Sequence, residues 1–339
     1  MNKIVTFGEN LVRITPDNFL KFSQTNHVHA YYGGDASNVA VGCASLGVPA
    51  MHVTKVPDNV IGRKAIEQLR RYGVDTSNIL LGGPRMGIYY MEQGYGARPS
   101  SIVYDRAGSS FALARREEYD WDKILDGAWM FHFTGIAAAL GDEVAATCLD
   151  ACKAAKKKGV LVSCDLNYRS TLWSKEKAGR TMSEICKYVD ICFAQEAEVR
   201  EVFGIPTNTK NLVTDPENIP AYAAMCDKVK ERFPFKSVVV TLLDTIDTNH
   251  YKMSGLISDE EGVFTSDVFD ILAVDRVGPG DAFVAGLLAT RARGGNAQEA
   301  IDMALAFSRM KFSTPGDVCL STWEETKSLV EHGSGDVKR

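Results

Sequence analysis

The sequence predicts an α/β fold with a mainly parallel central sheet flanked by helices and a small second sheet. Two observations predict it. Short β-rich runs alternate with helical patterns along most of the 339 residues, the rhythm of parallel strands joined by crossover helices. Two segments, from about 10 to 33 and from about 86 to 107, break that rhythm with extended, aromatic-rich sequence: "VHAYYGG", "GIYYMEQG" and "SSIVYDRAG". Paired together, they form a small lid sheet over the C-terminal edge of the main sheet, where open α/β folds bind ligands. The alternative is two separate surface hairpins.

Taken in order, "KIVTFG" is the first strand. "DASNVAVGCASLG" is a helix with Asp35 as N-cap and Gly47 as its stop. "AMHVTKV" is a strand, and "NVIGRKAIEQLRRYG" a helix ending at Gly73. The strand "AWMFHFTG" leads to the amphipathic helix "GDEVAATCLDACKAAKKKG", closed by Gly159, and then to the strand "VLVSCDLN". A helix from about Ser174 follows, then the strands "VDICFA" and "FKSVVVTL". Two long helices, "GDAFVAGLLATRARGG" and "NAQEAIDMALAFSRMKF", come late. Together these predict one domain over residues 1–330, with 331–339 as a flexible tail.

Composition narrows the function classes. Hydrophobic residues make up 45% and charged residues 24% of the chain, enough to bury a full core. A net charge of -5 argues against broad nucleic-acid binding, which needs a basic surface. The start "MNKIVTFGEN" reads as a strand rather than a signal peptide. No apolar run approaches the ~20 residues of a membrane span. The eight cysteines are scattered, with Cys148 and Cys152 four apart on a helix and no partner at metal spacing. They read as free thiols of a cytoplasmic protein.

The chemistry centres on "DRVGPGDAFVAG", residues 275–286. No glycine in the chain is followed by lysine, so there is no G-x-x-x-x-G-K-[ST] phosphate loop. "GPGDAF" lacks the third glycine of a dinucleotide fingerprint and lies late in the chain. It does precede a long helix, whose free N–H groups and positive dipole end suit a phosphate. Asp281 reads either as a helix cap or as a base accepting a proton from an attacking hydroxyl, with adjacent N–H groups holding the transferring charge. Arg106 in "VYDRAG" and Arg169 in "DLNYRSTLW" stand beside Tyr104 and Tyr168; two such arginines can grip a carboxylate. Gly33 and Gly34 precede a helix and allow close backbone approach by a ligand. Glu196, Glu198 and Glu201 open a helix. They are either a solvated acidic start, favoured by the dipole, or, at Glu198, a group ordering water around Mg²⁺.

These segments resemble the ribokinase-like (PfkB) carbohydrate kinases over nearly the whole chain. "GGDASNVAVGCASLG" is similar to the family's N-terminal glycine signature, "DRVGPGDAFVAGLL" to its C-terminal D-x-x-G-x-G-D signature, and "QEAE" to its N-x-x-E motif. Within the family, "RMGIYYMEQGYGARPSSIVYDRAGSSFA", "FHFTGI", "DLNYRSTLW" and "VDRVGPGDAF" resemble the 2-keto-3-deoxygluconate kinase branch. The resemblance implies ATP, Mg²⁺ and phosphorylation of 2-keto-3-deoxygluconate to its 6-phosphate. It implies Asp281 as catalytic base, with Gly278 and Gly280 forming the anion hole. Gly34, Asn38, Tyr89, Tyr104, Arg106, Ile136 and Arg169 are then the substrate site. Gln195, Thr241, Gly278 and Gly280 are the ATP site, and Glu198 an indirect magnesium residue acting through water.

The sequence departs from the family at Pro279, where a small residue is usual and where proline removes a possible anion-hole donor. It departs again at Gln195, where asparagine is usual. The alternatives are a kinase for another sugar acid or a ketohexose, fructokinase-like, and a catalytically weak sugar-acid binding protein. The expected partners are ATP and a small sugar acid, with neither nucleic acid nor membrane. A homodimer through the aromatic-rich lid is also expected.

Overall fold

The computed structural model describes residues 2–207 and 218–333. Six strands form a parallel array in the order Ala50–Val53, Lys3–Phe7, Ala128–Thr134, Leu161–Asp165, Ile191–Phe193 and Ser237–Thr245. The sheet then turns antiparallel through His250–Ser258, which pairs with both Val263–Thr265 and Phe269–Leu272. Short runs rich in Val, Ile and Phe suit strands buried on both faces.

Side chains alternate across the sheet, as the period of two requires. From the first strand, Val5 and Phe7 point into one core with Phe131, Phe133, Val162 and Cys164. Ile4 points into the other with Met130, Phe193 and Val239. Helices Asp142–Lys157 and Lys175–Ile185 cover the first face through Cys148, Cys152, Ala178 and Met182. Helices Asp35–Ser45, Pro279–Ala292 and Ala297–Phe312 cover the second through Val39, Phe283 and Ile301. All eight cysteines are free and buried in these layers.

The two extended segments do not form separate hairpins. They pair into one four-stranded sheet, ordered Val28–Gly33, Leu11–Pro16, Gly87–Glu92 and Ser101–Asp105. Its two central strands, one from each segment, run parallel. Leu11 follows the first strand of the main sheet within four residues, so the small sheet grows from the strand's C-terminal end.

Three local expectations need correction. "AMHVTKV" is broken at Thr54, because Lys55–Val56 leaves the main sheet to pair with Leu80–Leu81. The N-cap of the first helix is Gly34, and Asp35 is its first helical residue. Of the expected tail, Glu331 and His332 close the last helix, Trp323–His332, and 334–339 lie outside the described residues.

Candidate active site

The loops leaving the C-terminal ends of the parallel strands meet the small sheet around a cavity of about 580 Å³. It brings together Gly34, Asn38, Tyr89, Tyr104, Arg106, Ile136, Arg169, Gln195, Glu198, Gly278, Gly280 and Asp281. Thr241 lines an adjoining cavity of about 260 Å³ that shares Asp165, Arg169, Gln195, Glu198 and Gly280 with the first. Val239, Tyr251, Met253, Val284 and Phe312 give the second cavity apolar walls.

The helix Pro279–Ala292 presents its N-terminus to both spaces. Gly278 is its N-cap, at φ 85, and no side chain caps it. Only glycine fits there: a Cβ would stand 2.0 Å from the backbone oxygen of Asp317. The first helical hydrogen bond runs from Ala282 N to Gly278 O, which leaves the N–H groups of Gly280 and Asp281 free for an anion. A Cβ on Gly280 would meet nothing within 4 Å, so the backbone there is open to a ligand.

Pro279 occupies the first helical position and is buried. Its ring preorganises that turn, and the N–H it lacks is one that no helix bonds internally. Its carbonyl accepts a bond from Ser308 Oγ at 2.8 Å. Proline therefore fixes the turn and leaves the two following donors in place.

Asp281 sits in the first turn rather than at the cap, and its carboxylate faces the cavity. Asn38 Nδ2 donates to Asp281 Oδ2 at 2.7 Å. Burial pushes the Asp281 carboxyl up to about 8, and repulsion from Asp35 adds to the shift. A carboxyl tuned near neutrality suits a general base. Asp35 is fixed beside it: Oδ1 accepts from Ala36 N at 2.7 Å and Oδ2 from Thr134 Oγ1.

The two arginines differ in kind. Arg106 is not a free fork. Its Nε donates to Glu9 Oε2 at 2.8 Å and its Nη2 bonds the same oxygen, while Ser109 Oγ donates to Glu9 Oε1. Glu9 thus orients Arg106 at the cavity wall. Arg169 is exposed, and its guanidinium makes no hydrogen bond or ion pair among the described residues. It lines both cavities, at their seam. It follows a tight turn in which Asn167 adopts φ 37 and donates its N–H to Asp165 Oδ1 at 3.0 Å. The rings of Tyr89 and Tyr104 pack tilted at 33° with centroids 5.6 Å apart, and the Arg106 guanidinium lies 5.8 Å from the Tyr104 ring.

Gly34 is a glycine for a protein contact, since a Cβ would lie 2.0 Å from Glu9 O. Gly33 is likewise a packing glycine, since its Cβ would meet Asp317 Cβ at 2.7 Å and it does not line the cavity, whereas Gly34 does.

Glu198 is not part of a solvated acidic face. Its carboxylate accepts from Tyr168 N at 2.8 Å and Gln195 N at 2.9 Å, tying two loops together. Burial raises its pKa, and burial followed by repulsion from Glu198 and Asp281 raises that of Asp165 well above the carboxylate range. Asp165, Glu198 and Asp281 share this space with Arg169 and Arg276, two arginines that make no hydrogen bond or ion pair among the described residues. No cluster of three or more acidic, histidine or cysteine ligands exists among the described residues. Asp165 and Glu198, which line both cavities, are acceptors suited to holding water around Mg²⁺.

The sequence profile of the pfkB family carbohydrate kinases matches residues 1–323. The chain belongs to that family. Among solved structures, 2-dehydro-3-deoxygluconokinase from Thermotoga maritima shares 40% identity over 98% of this chain and 100% of that one, with a TM-score of 0.93. The 2-dehydro-3-deoxygalactonokinase of Haloferax volcanii is 29% identical over 99% of both chains. A putative ribokinase II from E. coli, solved with ATP and Mg²⁺, shares the fold at a TM-score of 0.80, 21% identity, 98% of this chain and 99% of that one.

Four groups in the pocket of this pfkB kinase escape sequence reasoning: Glu9, Asp35, Asp165 and Asp317. Glu9, Asp35 and Asp317 each follow a glycine, and Asp165 ends a strand. Only Asp165, four residues before Arg169 in "DLNYRSTLW", carried a local signal.

Proposed function

We propose that this kinase transfers the γ-phosphoryl group of ATP to the terminal hydroxyl of a keto-deoxy sugar acid. The substrate is 2-keto-3-deoxygluconate or its C4 epimer, giving the 6-phosphate. One observation carries the reading: Asp281, the open N–H groups of Gly280 and Asp281, and the arginines Arg106, Arg169 and Arg276 face a single cavity. A neutral hexose needs no arginine pair, whereas a carboxylate does. The similarity to enzymes named for the gluconate and galactonate forms supports the acid, and the Haloferax relative supports the epimer.

In this reading Asp281 takes the hydroxyl proton as the new O–P bond forms and the bond to the leaving ADP oxygen breaks. The N–H groups of Gly280 and Asp281, at the positive helix end, hold the charge on the equatorial oxygens. Arg169 adds positive charge at the seam. Arg106, braced by Glu9, turns its remaining Nη1 toward the substrate carboxylate, with Tyr89, Tyr104, Ile136, Gly34 and Asn38 around the carbon chain. Gln195 and Thr241 line the nucleotide side. Bound Mg²⁺ would neutralise phosphate charge, with Glu198 and Asp165 placed to hold waters of its shell.

The small sheet acts as a lid on a single unit spanning 1–330. Its outer strand, Ser101–Asp105, exposes Ile102, Val103 and Tyr104 at 43%, 60% and 53%, which supports a homodimer through the lid. Free buried cysteines support a reducing, cytoplasmic setting, and no described helix is long and apolar enough to cross a membrane. A structure with the keto-deoxy acid bound tests the reading: the carboxylate should lie within hydrogen-bond reach of Arg106 or Arg169, and the terminal hydroxyl beside Asp281. The reverse orientation would reject it.

A further inference from the structure

Arg13 belongs to the small sheet, is 1% exposed, and does not line the cavity. Its guanidinium nevertheless joins the two halves of the site. Nη2 donates to Asp275 Oδ2 at 2.7 Å and Nη1 to Asp317 Oδ1 at 3.0 Å. Burial disfavours its charge, but Asp317 and Asp275 outweigh that and hold it protonated.

Each carboxylate passes the constraint on. Asp275 opens the phosphate-binding turn: Oδ1 accepts from Val277 N at 3.0 Å and Oδ2 also accepts from Gly316 N at 3.0 Å. Asp317 accepts from the hydroxyl of Tyr89 at 2.6 Å, and its backbone oxygen packs against Gly278, the cap of the catalytic helix. Lys311, the nearby second cation, spends its Nζ on the carbonyl of Thr314 at 2.8 Å. Arg13 is thus the one cation in direct contact with both carboxylates among the described residues.

We propose that Arg13 is a positioning residue for phosphoryl transfer, fastening the turn 275–280 to the small sheet so that the phosphate donors and the Tyr89 wall keep one spacing. The inference rests on the reading of Asp281 and the helix N-terminus given above. A planar fork can hold two carboxylates at a fixed separation, which the point charge of a lysine cannot. Arg13 reaches no reacting atom, so its effect falls on the geometry of the transfer rather than on sugar affinity.

Arg13→Met and Arg13→Lys in the full-length protein test this by ADP release with 2-keto-3-deoxygluconate and by hydrogen exchange of the ligand-free protein. Misplacing the turn predicts kcat lowered about 10²-fold in Arg13→Met, with KM for the acid changed less than about threefold. Arg13→Lys restores charge without the fork and gives an intermediate kcat. Peptides spanning 275–281 exchange about tenfold faster in Arg13→Met, with the central strands unchanged. A folded Arg13→Met enzyme with kcat within about twofold of wild type overturns the proposal. So does faster exchange throughout the chain in both variants, which makes Arg13 a residue of general stability. If wild type does not turn over the acid, the functional reading fails, while local exchange at 275–281 still decides whether Arg13 holds the turn.

Discussion

Asp281→Asn should cost the enzyme its activity and make the folded protein more stable at alkaline pH. The carboxyl has a reference value of 3.8 and is pushed up to about 8 by burial and by Asp35. A folded-state value above the unfolded one means the protonated form is favoured. The stability it brings is full below 3.8 and is lost as pH rises through about 8. Between pH 5.5 and 8.5 the wild type crosses about 2.5 units of that window, at ~1.4 kcal/mol per unit. The group opens onto a solvent-accessible cavity, and screening cuts the effect to about 1.5 kcal/mol.

Asparagine keeps an oxygen for Asn38 Nδ2 and carries no charge to bury. Urea unfolding at the two pH values should therefore show the variant gaining about 1.5 kcal/mol on wild type at pH 8.5 relative to pH 5.5. Its kcat should fall at least ~10²-fold with the base removed, and wild-type kcat/KM should rise with pH along a limb near 8. An equal stability difference at both pH values, or a limb near 4, would refute the reasoning.

Other substitutions separate the roles of neighbouring groups. Arg106→Ala leaves Glu9 buried without its partner and should destabilise by about 3–5 kcal/mol in a thermal or urea melt. Arg169→Ala breaks no ion pair; the melt should shift by less than about 0.5 kcal/mol while kcat/KM falls more than tenfold by ~1.4 kcal/mol per decade. Pro279→Ala should change kcat by less than about tenfold, since the proline stands where no helical N–H is bonded, and should lower stability by about 0.4–1 kcal/mol through the unfolded chain. Gly280→Ala should fold at least as stably, helix propensity favouring alanine by about 1 kcal/mol, yet lose activity because its methyl enters the anion site.

Much of this was legible in sequence. The strand–helix alternation and the two aromatic segments follow from periodicities of 3.6 and 2 that local sequence carries by itself. Gly278, Gly280 and Asp281 stood out in sequence because a glycine turn before a long helix suits an anion, although the same pattern also allows Asp281 as a plain helix cap. Illegible were the pairings between distant segments. Glu9 lies 97 residues from Arg106, and Asp317 lies 304 from Arg13; a buried carboxylate and its cation leave no spacing to read. That is why Arg106 looked like a free clamp and why nothing in the sequence marks Arg13. Pro279 shows a related limit: its cost as a missing donor is visible in sequence, whereas its place at the first helical position depends on where the cap falls.

The substrate claim is tested most directly by ADP release on a panel of 2-keto-3-deoxygluconate, 2-keto-3-deoxygalactonate, gluconate, fructose and ribose. One or both keto-deoxy acids should exceed fructose and ribose in kcat/KM by at least about 10², the discrimination of ~3 kcal/mol that a buried carboxylate partner supplies. Equal or faster turnover of fructose, with none of the keto-deoxy acids, would contradict the account.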